Sequence, residues 1–123
     1  MPAKRTILIV EDNEINRMML SELLSSEYMV LEAENGQQAL DVLERKKDEI
    51  SVILLDITMP VMDGYTFLSI AKKDPSLASI PVIVTTQSDS EADEVAALSH
   101  GATDYVAKQY KPQIILHRVA SII

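Results

Sequence analysis

Five short apolar runs alternate with five stretches of helical spacing along this chain, and that alternation restricts the fold more than any other feature. The runs are Ile7–Val10, Met29–Leu31, Val52–Leu55, Val82–Val84 and Tyr105–Ala107. Most are β-branched and all are bounded by polar or turn residues, as strands buried on both faces of a parallel sheet should be. Between them the apolar residues recur at helical intervals. Ile15, Met19 and Leu23, with Met18 and Leu20 beside them, predict the core face of a first helix. Ala39, Leu40 and Leu43 predict a second, and Phe67, Leu68 and Ala71 a third. Ala92, Val95 and Ala96 predict a weakly apolar fourth, and Ile115, Val119 and Ile122, widened by Ile114, Leu116 and Ile123, a strong fifth. Helix punctuation agrees. Ser90 with Asp93 fits a capping box, Gly101 a helix stop, Pro75 the end of the third helix and Pro112 the first turn of the fifth. Five strand–helix units in one chain of 123 residues predict an α/β fold, a doubly wound parallel sheet with helices on both faces.

Composition narrows the function classes. A 47% hydrophobic content is enough for one real core, and residues 1–123 read as one domain. The net charge of −8 argues against direct nucleic-acid binding, which calls for a basic face. It suits solubility and is compatible with attraction of a divalent cation. No Cys is present, so disulfide and thiolate chemistry are excluded and a reducing compartment fits. No apolar run approaches the roughly 18 residues of a membrane span, so no membrane association is expected.

The polar residues at the strand ends carry the functional signal. In a doubly wound sheet, ligands sit outside the carboxyl ends of the strands. Glu11 and Asp12 follow the first predicted strand, Asp56 closes the third, Thr85 and Thr86 close the fourth, and Lys108 follows the fifth. All fall at one sheet edge. Three carboxylates brought close together repel one another, and a hard divalent cation resolves the repulsion. Mg²⁺ takes a few carboxylates, keeps several waters and leaves positions for phosphate oxygens. A Lys and a hydroxyl nearby complete an oxyanion site, and a carboxylate can itself be the nucleophile that forms an aspartyl-phosphate. His100 and His117 share no ligand spacing and read as surface residues.

Four segments, VEDN, LLDITMPVMDG, PVIVTTQ and GATDYVAK, occur in this order over nearly the whole chain. Together they resemble the receiver domain of two-component response regulators. The resemblance implies the flavodoxin-like receiver fold, with five strands in the order 2-1-3-4-5 and five helices. It implies that Asp56 accepts a phosphoryl group from a sensor histidine kinase or phosphotransfer protein. Asp12, Asp56 and the backbone carbonyl of Thr58 would bind Mg²⁺, with Glu11 acting on it through water. Lys108 would pair with Asp56 and then with the phosphoryl oxygens. Thr86 would donate its hydroxyl to that group, and Tyr105 would be the aromatic switch that follows it. The face made by the fourth helix, fifth strand and fifth helix would be the output surface, engaging an output domain in cis or a partner protein, or forming a phosphorylation-dependent homodimer. The domain would not be an enzyme in its own right, and its location would be cytoplasmic.

The chain departs from the family pattern at two places. Gln109 follows Lys108 where the family usually has Pro, which puts the reach of Lys108 in question. Gln87 follows Thr86 where a small residue is usual, and with Thr58 it is expected to set the lifetime of the phosphoryl group. These departures sustain one alternative, a degenerate receiver that binds proteins without being phosphorylated. A haloacid-dehalogenase-type phosphatase is a weaker match, since it places its nucleophile after the first strand with a second Asp two residues on. Flavin binding is opposed by the acidic first loop. The apolar ending HRVASII leads to the expectation of a helix running on into a further module, with a free-standing receiver as the other expectation.

Overall fold

The computed structural model describes residues 5–56, 64–86, 91–107 and 112–123. Its elements run β1 (Thr6–Val10), α1 (Glu14–Ser25), β2 (Met29–Ala33), α2 (Gly36–Lys46), β3 (Ile50–Asp56), α3 (Gly64–Lys73), β4 (Val82–Thr86), α4 (Glu91–Ser99), β5 (Asp104–Ala107) and α5 (Pro112–Ile122). A single 3₁₀ turn, Lys47–Glu49, lies between α2 and β3. The strands form one sheet in the order β2-β1-β3-β4-β5, and every pair is parallel. Order and composition are those expected from the alternating pattern and the resemblance.

The pleat sorts the strand residues between two cores. Ile7 and Ile9 of β1, Val52 and Leu54 of β3, Ile83 of β4 and Val106 of β5 pack with Leu20 and Leu24 of α1 and Ile115 and Val119 of α5. The alternate residues Leu8, Val10, Ile53, Leu55, Val82 and Val84 pack with Ala39 and Leu43 of α2, Phe67, Leu68 and Ala71 of α3, and Ala97 of α4. Both faces of β1, β3 and β4 are therefore dry, which explains their nearly unbroken apolar sequence. Each fully buried Leu, Ile or Val contributes about 1.5–3 kcal/mol by removal from water.

The helix ends follow local chemistry. Asn13 caps α1 by accepting the Asn16 N–H at 2.9 Å, and Asn35 caps α2 by accepting the Gln38 N–H at 2.9 Å. Gly101, just past α4, has φ +105°, a conformation that L side chains rarely adopt. A Cβ built there would lie 2.9 Å from Lys72 Cγ, so this turn also needs the missing side chain. Pro112 opens α5 as expected. Ser90, half of the expected capping box, lies outside the described residues.

Two helices bury a different face from the one their apolar spacing predicts. In α1, Ile15, Met18 and Met19 of the expected face are 68%, 60% and 61% exposed, whereas Leu20 of that face is buried with Leu24, and Leu23 packs against the core. Its apolar residues are spread widely round the axis, with polar residues interleaved among them, so spacing alone does not fix its rotation. Its rotation fits the Asn13 cap and Arg17, which turns inward towards β1 and β2 and interrupts the buried stripe with a polar residue. In α4, Val95 is exposed and Ala97 is buried. A small residue lets the helix approach the sheet, and apolar counting favours the larger Val.

Candidate functional site: a carboxylate cluster at the carboxyl edge of the sheet

Register builds the site. Val10 of β1 stands opposite Leu55 of β3, so the residues that follow, Glu11 and Asp56, leave adjacent strands at one level. Both continue the pleat parity of Ile9 and Leu54, on the side covered by α1 and α5. Each is only 1% exposed, while Asp12 is open to solvent. Carboxylate oxygens of Glu11, Asp12 and Asp56 all lie within 4.8 Å of one another. Asp56 also stands in register with Thr85, which is buried and donates its hydroxyl to Leu55 O at 3.4 Å.

The backbone around Glu11 is tied down on several sides. Its N–H donates to Ala33 O at 3.0 Å, which joins it to the end of β2. Its carboxylate Oε2 accepts the Asn13 N–H at 3.1 Å. Its carbonyl oxygen accepts a hydrogen bond from Arg17 Nη1 at 2.9 Å.

The donor set suits a hard divalent cation. All three side chains offer carboxylate oxygen, the class Mg²⁺ and Mn²⁺ prefer, and two of them are buried where like charges repel strongly. Asp12, exposed at the rim, leaves one side of the cluster open to solvent.

The remaining expected site residues are placed unevenly. Thr86 is the last residue of β4 and stands in register with Ala107 of β5, the residue before Lys108. Tyr105 is half-buried, packs against the core shared with α2, α3 and α4, and stands in register with Val84. Its N–H donates to Asp104 Oδ1 at 2.8 Å. Thr58, Gln87, Lys108 and Gln109 lie outside the described residues. His100 and His117 are exposed, as expected. The His100 ring lies 4.9 Å from that of Tyr65, and its Nδ1 sits 2.7 Å from Ala96 O.

Sequence reasoning missed Arg17 and Asn13. Asn13 was detectable as a cap residue just ahead of an apolar-periodic segment. Arg17 carried no such mark, because its importance comes from β2, which reaches it only in the folded sheet.

The comparisons agree with this geometry. Residues 7–120 match the response regulator receiver domain family. The chain belongs to that family and is a receiver of two-component signalling. Among curated relatives it is similar to the response regulator PleD of Caulobacter vibrioides, 38% identical over 117 residues, covering 94% of this chain and 25% of PleD. It is also similar to protein PilH of Pseudomonas aeruginosa, 32% identical over 118 residues, covering 95% of this chain and 96% of PilH. The chain thus spans only a quarter of PleD and nearly all of PilH. Among solved structures it resembles the Vibrio cholerae chemotaxis protein CheY4, with a TM-score of 0.89, 27% identity and coverage of 98% and 100% of the two chains. It also resembles the Mn²⁺-bound form of response regulator Rcp1, with a TM-score of 0.78, 27% identity and coverage of 96% and 91%.

Proposed function

We propose that this receiver takes its phosphoryl group on Asp56 and that Mg²⁺, held by Asp12, Asp56 and the Thr58 carbonyl with Glu11 acting through water, assists the transfer. The observation that carries the reading is the convergence of the Glu11, Asp12 and Asp56 carboxylates within 4.8 Å at the carboxyl edge of the sheet. The Mn²⁺-bound state of the similar Rcp1 supports a divalent cation. Bound there, Mg²⁺ would neutralise charge on the transferring phosphoryl oxygens.

The chain's own residues supply the rest. A carboxylate oxygen of Asp56 attacks phosphorus, an oxygen–phosphorus bond forms, and the bond from phosphorus to the donor imidazole nitrogen breaks. The imidazole leaves with the electron pair. Lys108 balances the charge of the phosphoryl oxygens, and the Thr86 hydroxyl donates to them. The Thr86–Ala107 register supports this pairing by setting the last residue of β4 level with the residue before Lys108. Tyr105 then repacks within the core edge that it shares with Val84 and α4, changing the face made by α4, β5 and α5.

The donor is a sensor histidine kinase or phosphotransfer protein, and the cell compartment is the cytoplasm. Among the described residues no helix is long and apolar enough to cross a membrane. The donor approaches over the start of α1, where exposed Asp12 adjoins exposed Ile15, Met18 and Met19. Output passes to a domain in cis or to a partner protein.

Intact mass after incubation with acetyl phosphate tests the reading. A gain of one phosphoryl group that requires both Mg²⁺ and Asp56, and is lost in Asp56→Asn, is expected. No gain under any condition would replace this reading with that of a protein-binding receiver that is never phosphorylated.

A further inference from the structure

Arg17 is a basic residue bound to the backbone of the carboxylate cluster. Its side chain is only 12% exposed. Nη1 donates to the Glu11 carbonyl at 2.9 Å, Nε lies 3.3 Å from Glu32 Oε1, and Nη2 lies 3.6 Å from Glu34 Oε1. Glu32 belongs to β2 and Glu34 follows it, so the guanidinium joins three elements: the helix that carries it, the edge strand and the end of β1. The Glu11 carbonyl belongs to the peptide between Glu11 and Asp12. Fixing that peptide plane fixes the direction in which both carboxylates leave the chain. Its other neighbour, the Glu11 N–H, is already held by Ala33 O.

We propose that Arg17 is a positioning residue for the metal site: its planar fork, anchored on Glu32 and Glu34, holds the Glu11–Asp12 peptide so that the two carboxylates converge on the cation before it binds. The inference rests on the reading of the cluster as a Mg²⁺ site. It runs against simple electrostatics. A guanidinium beside a cation site repels the cation, so by charge alone removing Arg17 strengthens Mg²⁺ binding. Positioning makes the opposite forecast, because carboxylates that must be gathered at the moment of binding bind more weakly. Lys keeps the charge and loses the fork, so it does not substitute.

The test is Mg²⁺ titration of the full chain by calorimetry for wild type, Arg17→Met, Arg17→Lys and Arg45→Met, with metal-free thermal melts of each. Arg45→Met removes the same charge from an exposed position on α2, where the guanidinium Nε contacts only its own helix through Asp41 O. Positioning requires a Mg²⁺ Kd raised about tenfold in both Arg17 variants and essentially unchanged in Arg45→Met. Unchanged or tighter binding in Arg17→Met overturns the inference, even if its melting temperature falls, since a purely structural role lowers the melt alone. Should Arg17→Met fail to fold, Arg17→Lys carries the same test. Wild type without saturable Mg²⁺ binding overturns the metal-site reading and the inference with it, whereas wild-type binding with unaltered variants overturns the inference only.

Discussion

Val10 and Leu55 face each other across β1 and β3, and the next residue on each strand is a buried carboxylate. The sheet thus brings two like charges together at a position almost closed to water. Removing one of them relieves that repulsion whenever no cation is bound. Asp56→Asn is expected to raise metal-free stability by about 1–2 kcal/mol at neutral pH. Urea denaturation in EDTA measures this, and a destabilised variant would show that contacts of Asp56 outweigh the repulsion.

Cation binding should appear as stability in its own right. At a Mg²⁺ concentration of about 100 times Kd, wild type gains about 2.7 kcal/mol over the EDTA-treated protein. Asp12→Asn, which removes the exposed member of the cluster, loses most of that gain. Paired melts with EDTA and with Mg²⁺ decide it, and an equal gain in both proteins would exclude Asp12 from the site.

The rotation of α1 separates two kinds of apolar residue. Leu20→Ala and Leu24→Ala empty core positions and should cost about 2–5 kcal/mol. Ile15→Ser and Met18→Ser touch only exposed positions and should change stability by less than about 0.5 kcal/mol. They should slow phosphorylation by the protein donor while leaving phosphorylation by acetyl phosphate unchanged. Equal slowing with both donors would place their effect in the chemistry rather than in docking.

At the far end of the molecule, Gly101 admits no side chain. Gly101→Ala demands φ +105° of an L residue and pushes a methyl group against Lys72 Cγ. The Lys72 ammonium is itself committed, donating to Ile80 O at 3.0 Å and Ala78 O at 3.3 Å, and burial lowers its pKa. A loss of about 1–3 kcal/mol is expected, readable in the denaturation midpoint. A neutral substitution would mean that the turn relaxes to negative φ.

Asp74 offers a local acid probe. The Ser76 hydroxyl and N–H both donate to its Oδ1, at 2.7 and 2.9 Å, and hold its carboxyl below the ordinary value of 3.8. A depressed folded pKa means that the contribution is complete above the unfolded value and disappears as pH falls through the folded one. Carboxyl carbon shifts followed by NMR during acid titration should show the low midpoint, and Ser76→Ala should move it up.

The fold was legible because period and punctuation agreed: unbroken apolar strands, Gly101 and Pro112 at helix ends, and helical stripes between them. The carboxylates were legible because parallel topology sends every strand end to one edge. What escaped depended on three-dimensional partners. The face of α1 was misread because Ile15, Met18 and Met19 are as apolar as Leu20 and Leu24, and its rotation fits a cap and an inward-turned Arg. Arg17 looked like any surface base until Glu32 arrived beside it. Ala97 was passed over for Val95 because spacing registers size and polarity, not the room available against the sheet.

Asp56 ends β3, a strand hydrogen-bonded on both sides and dry on both faces. Strands so placed belong to the part of a domain that opens last, so the β3 amides are expected to exchange only through global unfolding. The helix surfaces proposed to meet other proteins lie outside this buried strand. Sequence drift can therefore re-specify which partners are heard without loosening the reactive strand, so one chemical core can serve many separate conversations.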